Sequence, residues 1–126
     1  MSHKLLAVVL LSLLGAQLIG TASAHHSDAM FNRETTLELS GVVREFQFTN
    51  PHTWLQVVVT DASGLETEWS LEWNSPNQLG RQGVRPSTFP AGSEIKVRTN
   101  PMRDGTPAGA FVGAQLSDGK TVGRWD

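Results

Sequence analysis

Between Leu65 and Trp73 the chain alternates with a period of two: Trp69, Leu71 and Trp73 fall on one face, and Glu68, Ser70 and Glu72 on the other. A helix repeats every 3.6 residues and cannot keep such a pattern on one side. The stretch is therefore a strand with one buried and one solvated face. The tryptophans mark the buried face, because large aromatic side chains dominate the cores of small domains. A half-buried strand needs partners, and the same period recurs on both sides of it.

Upstream, Trp54–Thr60 places Leu55, Val57 and Val59 on one face, and Asp61-Ala62-Ser63-Gly64 closes a hairpin to the next strand. Thr35–Phe48 is a longer β-type run. Leu37 and Leu39 alternate with polar residues until Gly41, after which the apolar positions change parity to Val42, Phe46 and Phe48. A glycine at a parity change predicts a bulge or a sharp bend there. Downstream, Ser75-Pro76 has the chemistry of an N-cap followed by proline at the first helical position. It predicts a short helix over 77–82, packed by Leu79 and ended by Gly83. Val84–Gly92 is predicted to be a loop.

A fourth strand is expected over Glu94–Thr99, with Ile95 and Val97 inward. A fifth is expected over Ala110–Leu116, with Val112, Ala114 and Leu116 inward. The tail, Thr121–Asp126, can add a short strand through Val122 and Trp125. Three strands, a short helix and two strands is the order of the OB-fold. The predicted class is therefore all-β, a small five-stranded OB-fold-like barrel with its helix between strands three and four. An open sandwich of the same strands is the alternative. A long, bent first strand favours the barrel, because such a strand can pair with two neighbours.

Residues 1–24 read as a secretory signal peptide: Lys4, an apolar run from Leu5 through Ile19, and Ala22-Ser23-Ala24 at the cleavage site. Cleavage after Ala24 is expected, with the bond after Ala22 as the alternative. The predicted organisation is a signal peptide over 1–24, an N-terminal arm over 25–34 and one barrel domain over 35–126. The expected location is outside the cytoplasm, the periplasm if the source is Gram-negative. The 126-residue chain holds ten basic and twelve acidic residues, so no basic surplus draws it to nucleic acid. It has no cysteine, which excludes disulfides and thiolate metal sites. No membrane span is expected once the signal is removed.

Only four histidines are present: His3, His25, His26 and His52. His25 would begin the mature chain. His52 follows Asn50-Pro51, a turn signal, and directly precedes a strand. There a side chain can be held firmly and still reach solvent. The α-amine and imidazole of an N-terminal histidine can chelate one ion, and one further imidazole completes a three-nitrogen set suited to Cu(II). The candidate metal ligands are therefore His25 and His52, with His26 as the alternative imidazole. Glu72 is expected either in an axial position or orienting a ligand from behind. Met30, Met102, His52 and Trp54 are a candidate set for Cu(I). Cleavage after Ala22 would instead give Ser23-Ala24-His25, which binds Cu(II) through its imidazole and backbone nitrogens without help from a fold.

A second reading is metal-free: a binding or assembly module that takes a peptide, glycan or protein partner on the face of strands two and three. Trp54, Gln56, Glu68 and Ser70 are the candidate ligand face. Enzymatic activity is not expected. The chain lacks a Gly-x-Ser-x-Gly elbow, a Gly-rich phosphate loop and a His-Glu-x-x-His helix. Glu68 and Glu72 are separated by roughly 13 Å along one strand, too far for a glycosidase pair.

Six motifs together resemble a family of small exported bacterial proteins of unknown function. They are Ala24-His25-His26-Ser27 with Ala29-Met30-Phe31, Gly41-Val42-Val43, Asn50-Pro51-His52, Glu68-Trp69-Ser70-Leu71-Glu72, Ser75-Pro76-Asn77 and Asn100-Pro101-Met102-Arg103-Asp104-Gly105. The resemblance implies a single exported, barrel-like domain and implies no activity. Locally, the histidine set is similar to the histidine brace of copper monooxygenases, but the chain has no tyrosine. The His, Met and Trp content is similar to that of a small OB-fold copper chaperone, with a spacing that does not match.

Overall fold

The computed structural model describes residues 29–126. The predicted signal peptide, the cleavage site, His25 and His26 lie outside the described residues.

The strands are β1 (Leu37–Gln47), β2 (Trp54–Thr60), β3 (Glu66–Glu72), β4 (Glu94–Pro101), β5 (Ala108–Leu116) and β6 (Thr121–Gly123). One short helix, α1 (Pro76–Arg81), and a 3-10 turn (Pro86–Thr88) lie between β3 and β4. The hydrogen-bonded order is β3-β2-β1-β4-β5-β6, and a further pairing of β3 with β5 closes the sheet on itself. That closure is parallel, matching Ser70, Leu71 and Glu72 with Ala108, Gly109 and Ala110. All other strand pairings are antiparallel. The result is a closed five-stranded barrel of OB type, with β6 added at the edge of β5.

β1 is the strand that makes closure possible. Its first half, Leu37–Val42, pairs with β4, and its second half, Val42–Gln47, pairs with β2. The register slips between Val43 and Glu45, so Arg44 is the bulged residue. Of the bulge or sharp bend expected at Gly41, the bulge lies at Arg44 instead. The inward set continues through Val43, which is buried, while Val42 is 41% exposed. Gly41 serves close approach instead, because a Cβ there would collide with the Val58 carbonyl and the Val57 side chain.

The core joins Val43, Leu55, Val57, Leu71, Phe89, Ile95, Val97, Phe111 and Ala114, with Leu39, Phe46, Val59, Trp69, Trp73 and Leu116 packed at its margin. Most of the predicted inward residues are in this set. Val112 is not, because β5 slips register against β4 between Arg98 and Thr99. Val112 is the extra residue of that bulge, and Phe111 turns inward in its place. The Phe111 ring then stacks 4.2 Å from Trp73 and 6.0 Å from Phe89. Leu37 is half-buried and lies outside the cluster. The predicted loop Val84–Gly92 carries two buried apolar residues, Val84 and Phe89. Phe89 plugs the core against Phe46 at 4.9 Å.

The helix forms as its cap signals require. The Ser75 side chain accepts from the Gln78 amide, Pro76 opens the helix, and Leu79 is its buried anchor. No helix among the described residues is long and apolar enough to cross a membrane.

Candidate functional site

His52 closes the loop between β1 and β2, where the Asn50–Pro51 peptide bond is cis. Its backbone is held on both sides. The Thr49 hydroxyl donates to the His52 carbonyl at 3.1 Å. Thr53, fully buried, donates from both its amide and its hydroxyl to the Asn74 carbonyl, and accepts from the Trp73 amide. The β2–β3 ladder thus runs past the strand ends and fixes the residue next to His52. Thr53 was not singled out from the sequence; the parity it shares with Leu55 and Val57 is the signal that would have found it.

β2–β3 pairing puts Trp54 directly opposite Glu72. From there Glu72 reaches His52: its Oε1 lies 2.5 Å from Nδ1. The Glu72 side chain is 14% exposed and that of His52 45%. In a neutral imidazole, donation from Nδ1 to a carboxylate leaves the lone pair on Nε2. A carboxylate behind one ring nitrogen is the usual support for a metal-ligating histidine. Among the described residues no group of three or more His, Cys, Asp or Glu converges as a metal site.

The arm meets the barrel at the end of β4. Phe31 forms an isolated antiparallel bridge with Met102, and the Asn32 amide donates to the Pro101 carbonyl at 2.8 Å. Phe31 is buried, while Met30 is 45% exposed. Asn100 is buried and donates to the Thr35 carbonyl at 2.8 Å. This pinning by Asn100, and the contacts of Arg103 with the arm, were not anticipated. They join residues about 65 to 75 positions apart, and only the closed barrel brings them together.

The residues of the alternative ligand face lie on β2 and β3. Trp54, Gln56 and Val58 of β2 lie opposite Glu72, Ser70 and Glu68 of β3. Glu68 is not a free acid there, because Arg44 meets it at 3.0 Å. Gln56 donates to the Gln47 side chain at 3.3 Å. A groove lies elsewhere, toward the other end of β2, lined by Ser40, Val42, Val58, Thr60, Glu94 and Lys96. It holds no histidine.

The fold and site together define a small OB-type barrel that carries a carboxylate-supported histidine at one end. The chain belongs to DUF6152, a family of unknown function whose model matches residues 14–111. No curated protein matches it. Among solved structures it is similar to the mitochondrial single-stranded DNA binding protein Rim1 of S. cerevisiae, at 11% identity and a TM-score of 0.49, covering 66% of this chain and 94% of that one.

Proposed function

We propose that the mature protein, beginning at His25 after export, is a copper-binding protein that holds Cu(II) through the His25 amine, the His25 imidazole and Nε2 of His52. The observation that carries this reading is the Glu72 carboxylate on Nδ1 of a half-exposed, backbone-clamped histidine. A surface histidine needs no such support, whereas a ligating one gains orientation and basicity from it. His26 is the alternative second imidazole.

The reach of the arm supports the same reading. Trp54, Glu72, Ala110 and Asn100 form one row of paired residues across β2, β3, β5 and β4. At about 4.8 Å per strand, Glu72 is roughly 10 Å from β4. The arm meets the chain just past that row, at Met102. His25 precedes Phe31 by six residues, at most about 20 Å of chain. Neutral nitrogen ligands compete with protons, so binding weakens as the pH falls below about 6.

The test is titration of the mature protein with Cu(II), with the nitrogen hyperfine pattern read by electron paramagnetic resonance. One residue added before His25 converts its amine to an amide, and His52→Ala removes the imidazole held by the fold. Both changes are expected to weaken binding. If both variants bind as the mature protein does, the reading fails.

The second reading, a metal-free module for a peptide, glycan or protein partner, draws on the in-register outer face of Trp54, Gln56, Ser70 and Glu68. It predicts a partner whose capture requires Glu68 and survives chelation.

A further inference from the structure

β3 uses one of its edges fully and the other only in part. Toward β2 the ladder runs from Glu66 to Glu72. Toward β5 it covers Ser70, Leu71 and Glu72 and ends there. Successive residues of a strand direct their amide and carbonyl groups to opposite edges. Leu65 and Trp73 bond on the β2 side, through the Asp61 amide and the Thr53 carbonyl, whereas the Ser70 amide donates to the Pro107 carbonyl at 3.1 Å on the other side. Glu66 and Glu68 share the parity of Ser70, so their backbone groups point away from β2. Among the described residues no strand pairs with them there.

The side chains along this open edge are of two kinds. Glu66 and Glu68 are exposed on the outer face. Arg44 meets Glu68, but both partners are largely in water, where an ion pair holds weakly. On the other parity stand Leu65, Thr67 and Trp69. Leu65 is 64% exposed, more than Met30 or Val42, and Trp69 packs only at the margin of the core.

We infer that this edge takes an extended peptide that alternates basic and apolar side chains, added as a further strand beside Glu66–Trp69. The amides and carbonyls of Glu66 and Glu68 supply the ladder. Basic side chains meet the two carboxylates on the outer face, and apolar ones cover Leu65 and the rim of Trp69 on the other. A second copy docking through the same edge would set these carboxylates against themselves, and like charges facing each other across strands are destabilising. The acidic pair thus opposes self-pairing while it favours a cationic partner. The inference rests on the metal-free reading, names its partner class, and moves the contact from the face of β2 and β3 to the edge of β3.

The experiment titrates the mature protein, with a chelator present, with two end-blocked pentapeptides, one alternating lysine with valine and one alternating glutamate with valine. Binding is read from amide chemical shifts and hydrogen exchange. The lysine peptide is expected to bind roughly tenfold more tightly than the glutamate peptide, and to slow exchange at the Glu66 and Glu68 amides. Glu66→Pro removes an amide that the β2 ladder does not use, and proline is tolerated at the first residue of an edge strand. Glu66→Ala keeps that amide and is the control, so only Glu66→Pro should abolish binding. Charge reversal, E66K/E68K, should exchange the preferences of the two peptides. It also serves as the test should Glu66→Pro disturb the far-UV circular dichroism.

Binding of neither peptide overturns the inference, as do equal affinities in Glu66→Pro and Glu66→Ala or an unchanged preference in E66K/E68K. Shifts confined to Trp54, Gln56 and Ser70 also overturn it, and leave the metal-free reading standing on its outer face. Self-association that Glu66→Pro abolishes makes a second copy the occupant and overturns it as well. Lysine-peptide binding that survives Gln56→Ala and Trp54→Ala but not Glu66→Pro supports the edge and removes the outer face from the metal-free reading.

Discussion

Oε1 of Glu72 lies 2.5 Å from Nδ1 of His52, although the two residues are twenty positions apart and belong to different elements. The contact follows from register. Glu72 faces Trp54 across the β2–β3 pair, and His52 precedes Trp54 by two residues on the same side.

Glu72→Gln keeps the shape of this side chain and removes its charge. Cu(II) affinity is expected to fall about 10- to 100-fold, the usual cost of losing support behind a metal ligand. Far-UV circular dichroism should stay unchanged, because Glu72 lies on the outer face. An affinity equal to that of the parent protein would show that the carboxylate does not serve His52.

Phe111 and Val112 are adjacent, and the bulge in β5 gives them opposite fates. Phe111→Ala empties a ring-sized space between Trp73 and Phe89, and is expected to cost about 3–5 kcal/mol. Val112→Ala, at a half-buried position outside the cluster, should cost about 1 kcal/mol or less. Leu71→Ala, at a fully buried site, belongs with the costly changes, at about 2–5 kcal/mol. Urea denaturation of the three variants checks the order. Equal losses at 111 and 112 would mean that the bulge is misplaced.

Gly41→Ala adds one methyl group to an ordinary β position, yet it would meet the Val58 carbonyl and the Val57 side chain. Backbone cannot move aside as a flexible side chain can. The expected destabilisation is about 1–3 kcal/mol, the scale of overpacking. A thermal scan showing no loss would indicate that β1 and β2 separate more easily than their pairing implies.

The Asp61 carboxyl is held below its ordinary range, first by the Ser63 hydroxyl and then by the Leu65 amide, with further hydrogen bonds from the Ser63 and Gly64 amides. The folded state thus favours the ionised form more than the unfolded chain does. The contribution is complete above the unfolded carboxylate range and is lost as the pH falls through the lowered folded value. Asp61→Ala should therefore be less stable than the parent near neutral pH, with the gap closing in acid. Melting temperatures across an acid series test this, and a gap that widens in acid would contradict it.

The faces of β2 and β3 were legible in the sequence because a period of two allows only one assignment once Trp69, Leu71, Leu55 and Val57 share a side. The cap at Ser75-Pro76 and the exposed turn at His52 were equally local, as was the count of strands that selects the barrel class. The rest depended on partners distant in sequence. Gly41 marked a place of constraint, but the bulge fell at Arg44, where β1 must leave one neighbour for another. Phe111 displaced Val112 from the core because β5 has to satisfy β4 on one side and a parallel β3 on the other. The hold of Arg103 on the arm likewise needs the closed barrel. Local pattern determines which residues want burial and which want water. Only closure decides where a strand must slip to satisfy two neighbours at once, and which distant side chains then meet.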